Sequence, residues 1–108
     1  QFELIICQLR TVSDIIREQN VQQIDLLKVD VEKSELDVLL GIQEQDWSKI
    51  KQVVVEVHDL DGRVEKITNL LKSHGLNQII VEQEPLFKGS NIFNLYALRQ
   101  KNGHPKSL

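Results

Sequence analysis

Ile24-Asp25-Leu26-Leu27-Lys28-Val29-Asp30-Val31-Glu32 runs straight into Lys33-Ser34-Glu35-Leu36-Asp37-Val38-Leu39-Leu40-Gly41. The first part, Ile24 to Val31, is close to continuously apolar, as parallel strands covered on both faces tend to be. From Ser34 the pattern changes to Leu36, Leu39 and Leu40, a helical stripe aimed at a core. Gly41 fits the left-handed residue that commonly closes a helix. A buried strand that ends in acids and turns at once into a helix predicts an open α/β sheet. In such sheets ligands sit beyond the carboxyl ends of the parallel strands, where Asp30 and Glu32 project.

The same alternation extends both ways. Phe2 to Leu9 reads as a strand, and Thr11-Val12-Ser13-Asp14 offers a cap for a short helix through Ile15, Ile16 and Glu18, with Asn20 as its stop. Asp46 to Ile50 reads as a helical turn. Lys51 to His58 carries the β-branched run Val53-Val54-Val55. Asp59-Leu60-Asp61-Gly62 is turn chemistry, with Asp61 placed to cap a helix from Arg63 to His74. That helix shows a stripe of Val64, Ile67, Leu70 and Leu71, and Gly75 ends it. Gln78 to Glu84 and Asn91 to Arg99 are the last strands. The short loop between them suits an antiparallel pair, because a parallel return needs a longer crossover. The order β-α-β-α-β-α-β-β predicts a mostly parallel sheet with a final antiparallel strand and helices on both faces. Residues 1–99 form this domain, and the polar segment 100–108 is expected to fray.

Composition narrows the function. The chain has 108 residues, 41% hydrophobic and 27% charged, which suits one globular domain. It contains no methionine, and Gln1 opens almost directly into an apolar run, so a piece of a longer polypeptide is expected. The net charge is −3 and the basic residues are scattered, which disfavours a nucleic-acid backbone as partner. The apolar runs are too short to span a bilayer. The single cysteine, Cys7, cannot form an internal disulfide, and among Leu4, Ile5 and Ile6 it reads as a small hydrophobe. These features suit a reducing compartment, and a cytoplasmic location is expected.

The candidate site consists of two pairs. Asp30 and Glu32 are two positions apart on a strand, so they share a face. They can hold a nucleophile or accept its proton; the bland alternative makes Asp30 a hydrogen-bonded structural acid and Glu32 a solvated turn acid. Glu56 and His58 repeat that spacing at the end of the neighbouring strand. A histidine titrates near pH ~6.5, suited to a general base, although a lone histidine at a strand end is often only a polar surface residue. Together the four side chains also offer oxygen and imidazole donors to a metal, an alternative set aside in favour of none. Lys28 is expected in the core or at its edge. Trp47 reads as a packing residue, His74 as a helix-end cation and His104 as incidental; Phe87 and Lys88 could touch substrate from their loop, although the reading without a role is preferred.

Asp25-Leu26-Leu27-Lys28-Val29-Asp30-Val31-Glu32 with Glu35 resembles the Asp-Leu-Leu-Lys-Ile-Asp-Val-Glu-Gly-Ala-Glu motif of the FkbM-type methyltransferases. Leu9 to Ile16 resembles that family's Thr-Leu-Asp-Ser-Leu-Leu segment. Val55-Glu56-Val57-His58 is similar to its Val-Glu-Val-His strand end, and Asn94-Leu95-Tyr96-Ala97 to its final strand. The likeness covers roughly residues 9 to 99. Lys33 and Ser34 depart from the family's Gly and Ala. The resemblance implies the C-terminal half of a Rossmann-like class I methyltransferase fold, with a last strand inserted beside its predecessor. It implies S-adenosylmethionine as cofactor and a small-molecule or carrier-bound methyl acceptor, probed by Asp30, Glu32, Glu56 and His58. An oxygen acceptor and a polyketide or peptide synthase setting are further expectations. The five glycines form no G-x-G cluster, so the cofactor-binding half is expected upstream and this piece alone inactive. The competing reading is a non-catalytic α/β interaction module, a homodimer through an exposed sheet edge at Ile24 to Val31 or Phe2 to Leu9.

Overall fold

The computed structural model describes residues 3–6, 11–31 and 34–99. Five strands form one sheet: β1 (Glu3–Ile6), β2 (Leu26–Val29), β3 (Gln52–His58), β4 (Gln78–Glu82) and β5 (Ile92–Leu98). Their spatial order is β1-β2-β3-β5-β4. β1, β2 and β3 run parallel, whereas β5 is antiparallel to both β3 and β4. The last strand therefore inserts between its predecessor and the parallel set, as the family resemblance implies.

Helix α1 (Val12–Glu18) leads from β1 to β2, α2 (Glu35–Leu40) and α3 (Glu44–Trp47) lead to β3, and α4 (Arg63–Ser73) leads to β4. The start of α1 is set by Thr11. Its hydroxyl accepts from the Asp14 amide at 2.9 Å, and the Asp14 carboxylate accepts from the Thr11 amide at 3.4 Å. This reciprocal box satisfies amides that a helix start leaves open. Asn20 follows with φ 53, a left-handed stop that asparagine tolerates.

Two helix ends differ from expectation. Gly41 has φ −79, an ordinary right-handed geometry, because the chain passes directly into the short α3. At the start of α4 the left-handed residues are Asp61 (φ 56) and Gly62 (φ 71). With its backbone turned that way, Asp61 gives no side-chain cap. Asp59 does the work instead, its Oδ1 accepting from the Val64 amide at 3.0 Å.

The helices pack on one face of the sheet. Leu27, Val29, Val53, Val55, Val57, Leu95 and Ala97 are buried there against Leu39, Ile67 and Leu71. Leu36 joins that core only in part and Leu40 is exposed. The opposite face carries Lys28, Val54, Tyr96 and Ile80, which the register aligns in one row across four strands. Lys28, Tyr96 and Ile80 are exposed. Among the described residues no helix covers this row, so the expected helices on both faces are found on one. The reason is topological. Right-handed crossovers that always advance in the same direction along a sheet lay every helix on the same side. Lys28 accordingly lies at the surface rather than in a core. β2 is paired on both sides, so it offers no free edge; β1 and β4 are the outer strands.

Candidate functional site

Asp30 follows β2 directly, and the register Val29↔Val55 carries it alongside Glu56 of β3. Glu56 is paired in turn with Asn94 of β5. Asp30, Glu56, Asn94 and Tyr96, with Lys28 and Glu84, line a cavity of about 250 Å³ on the uncovered sheet face. Asp30 is exposed and Glu56 half-buried. Three carboxylates face one ammonium, so the wall is net negative. Such a wall accepts hydrogen bonds from a hydroxyl and favours a cation.

His58, two residues beyond Glu56, enters a different environment. Its Nδ1 lies 2.8 Å from Oε2 of Glu35, the first residue of α2, whose side chain is fully buried. The Arg63 Nη1 donates to the other oxygen of Glu35 at 3.2 Å. The triad ties the start of α2 to the end of β3 and the start of α4. A buried carboxylate is tolerated where charge and hydrogen bonds meet both oxygens, as they do here.

Of the four predicted site residues, the structure brings Asp30 and Glu56 to one cavity and sends His58 to a neighbouring buried cluster. Glu32 lies outside the described residues. Glu35 and Arg63 were not foreseen as site residues. The available clue was positional, since Glu35 matches the closing acid of the family motif, yet a pattern of apolar offsets assigns it only to a helix start. Among the described residues no group of three His, Cys, Asp or Glu side chains converges as a metal site would require.

At the opposite, amino-terminal end of the parallel strands a second polar group is structural. Ser13 is buried; its Oγ accepts from the Gln43 amide at 2.8 Å, and its hydroxyl also meets Asp46. Burial works to raise the Asp46 pKa, but hydrogen bonds from Ser13 and Lys49, with the charges of Lys49 and Arg17, hold it below its ordinary value.

The fold is shared with known methyltransferases. The METTL16 MTase domain aligns over 87% of this chain and 37% of its own, with a TM-score of 0.55 and 12% identity. The crystal structure of M1.HpyAVI aligns over 99% of this chain and 66% of its own, with a TM-score of 0.54 and 15% identity. At that identity the likeness concerns the fold alone. Sequence relatives say more. The 31-O-demethyl-FK506 methyltransferase FkbM of Streptomyces tacrolimicus is 48% identical over 88 residues, covering 82% of this chain and 34% of that protein. The AMB antimetabolite synthetase AmbE of Pseudomonas aeruginosa is 38% identical over 107 residues, 94% of this chain but 5% of that protein. Methyltransferase sdnD of Sordaria araneosa is 40% identical over 78 residues, 65% of this chain and 30% of that protein. The chain thus spans about a third or less of the length of these relatives. The family model for the methyltransferase FkbM domain matches residues 1–77. The chain belongs to the FkbM methyltransferase domain family.

Proposed function

We propose that this chain is the C-terminal part of an S-adenosylmethionine-dependent O-methyltransferase that acts on a small or carrier-bound hydroxyl compound. The observation that carries the reading is the meeting of Asp30 and Glu56 in one acidic cavity at the strand ends, within a chain of this family. The oxygen acceptor is supported by the name of the 48% identical relative, a 31-O-demethyl-FK506 methyltransferase. A synthase setting is supported by the match to a synthetase.

The residues present suit one end of the cofactor. The carboxylates of Asp30, Glu56 and Glu84 fit a sulfonium cation. A cavity of about 250 Å³ is below the ~300–1,000 Å³ that ligands of this size usually occupy. In this reading the chain holds part of the cofactor, and alone it does not complete methyl transfer. When bound, S-adenosylmethionine supplies an electrophilic methyl group. Asp30 and Glu56 orient the acceptor hydroxyl toward it, and alignment of this kind supplies much of the rate. His58, in the neighbouring cluster at the end of β3, accepts the hydroxyl proton.

The test is methyl transfer from radiolabelled S-adenosylmethionine to a panel of hydroxyl, amine and thiol acceptors, with the complete enzyme and with this chain. Labelled methyl ethers from the complete enzyme alone are expected. Transfer to nitrogen or sulfur would overturn the oxygen reading, and turnover by this chain would overturn its assignment as a part.

The interaction-module reading draws on the exposed Ile80, Tyr96 and Leu98 of the uncovered face. It requires concentration-dependent self-association in sedimentation.

A further inference from the structure

The structure assigns Glu35 a role beyond packing: we propose that it is the positioning residue for His58, fixing the imidazole as the Nδ1–H tautomer so that Nε2 is the atom that takes the acceptor's proton. The inference rests on His58 being the proton acceptor.

The argument begins with the buried acid. Glu35 is fully buried, and a carboxylate in that position accepts hydrogen bonds and donates none. Its Oε2 lies 2.8 Å from Nδ1 of His58, so the proton in that bond belongs to Nδ1. A neutral imidazole carries one N–H, and a proton fixed on Nδ1 leaves the lone pair on Nε2. Among the described residues no hydrogen bond engages Nε2. The Nη1 of Arg63 occupies the other carboxylate oxygen, at 3.2 Å. This holds the carboxylate plane. His58 is 9% exposed, so it sits at the border of the core rather than free in water.

A carboxylate that orients an imidazole in this way sets the tautomer and the ring angle without itself exchanging the proton. In the transfer step the hydroxyl oxygen forms the new O–C bond. The S–C bond breaks with its electron pair remaining on sulfur, and the hydroxyl proton passes to Nε2 of His58.

The direct test is the imidazole ¹⁵N spectrum of the neutral ring, assigned by its loss in His58→Gln. The native protein is expected to show Nδ1–H and an unprotonated Nε2, whereas free histidine prefers the reverse. In Glu35→Gln the amide can accept from Nδ1 or donate to it, so a mixture of tautomers is expected. In the complete enzyme that variant should lower kcat by about tenfold or more with KM little changed, a split that loss of packing alone does not produce. A native ring in the Nε2–H form would overturn the inference, whether or not the variant folds. Unchanged tautomer and kcat in a folded Glu35→Gln would do the same. Full methyl transfer by His58→Gln would instead overturn the base reading, while the tautomer spectrum still reports on the Glu35 contact.

Discussion

The indole of Trp47 and the imidazole of His74 stack with centroids 4.3 Å apart and planes 6° from parallel. They bring the end of α3 against the end of α4, and Arg99 locks the joint from the end of β5. Its guanidinium donates to the carbonyls of Trp47 at 2.7 Å, His74 at 2.8 Å and Ile50 at 2.9 Å. Hydrogen bonds from a charged donor to carbonyls are among the stronger ones. Arg99→Ala is expected to cost about 3 kcal/mol in urea unfolding. Arg99→Lys should recover little of it, since a point charge cannot reach three carbonyls in a planar fork. A loss under ~1 kcal/mol for the alanine variant would refute this clamp.

Gly75 belongs to the same joint. It has φ +91, and a β-carbon there would stand 2.5 Å from Arg99 Nη1. Gly75→Ala combines a left-handed backbone with a clash into the guanidinium, and a loss of about 1–3 kcal/mol is expected. Combining it with Arg99→Ala removes the clash. The double variant should therefore fall less than the sum of the two single losses, which a double-mutant cycle measures.

Much of this fold was legible in the sequence, and what was not has a common cause. The strands and helices came from periodicity, the antiparallel last strand from the short loop before Asn91, and its insertion from the family resemblance. Lys28 was misplaced because a near-apolar strand reads as covered on both faces, while which face is covered depends on the direction of the crossovers. Asp61 was read as the α4 cap where Asp59 serves, because two acids in one turn differ only in backbone geometry. Trp47, His74 and Arg99 are far apart in the chain, and no local pattern announces their meeting. The same holds for Glu35, His58 and Arg63. Asp30 and Glu56 were found because strand register is local once the strands are known.

Glu35→Ala should be among the most costly substitutions in the chain. It leaves Arg63 and His58 without their shared acceptor in a buried site, and a loss of about 3 kcal/mol is expected. Glu35→Gln, which keeps the volume, should lose less. Urea midpoints at neutral pH check the order, and equal losses would refute a charge-based account.

Asp46 makes stability depend on acid. Its folded-state pKa lies below the ordinary 3.8, so the unfolded chain binds a proton more readily. Its contribution is fully present above 3.8 and is lost as pH falls from there through the folded value. The stability difference between the native protein and Asp46→Asn should be constant from about pH 7 to 5 and shrink below about pH 4. A difference that grows on acidification would contradict the assignment.

The uncovered face predicts an asymmetry between the two sides of the sheet. Ile80 is 58% exposed and Val55 fully buried. Ile80→Lys should change stability by no more than about 0.5 kcal/mol, and Val55→Lys should prevent folding. Circular dichroism with urea titration distinguishes them, and a cost above ~2 kcal/mol for Ile80→Lys would mean that face is covered.

The central claim, that the acidic cavity beside Asp30 and Glu56 receives the sulfonium end of the cofactor, is tested most directly by titrating S-adenosylmethionine into the ¹⁵N-labelled chain and following its amides. Shifts centred on Asp30, Glu56 and Asn94 are expected, with affinity weakened about tenfold, or ~1.4 kcal/mol, in Asp30→Asn. Shifts centred instead on Ser13, Gln43 and Lys49, or none at saturating ligand, would contradict it.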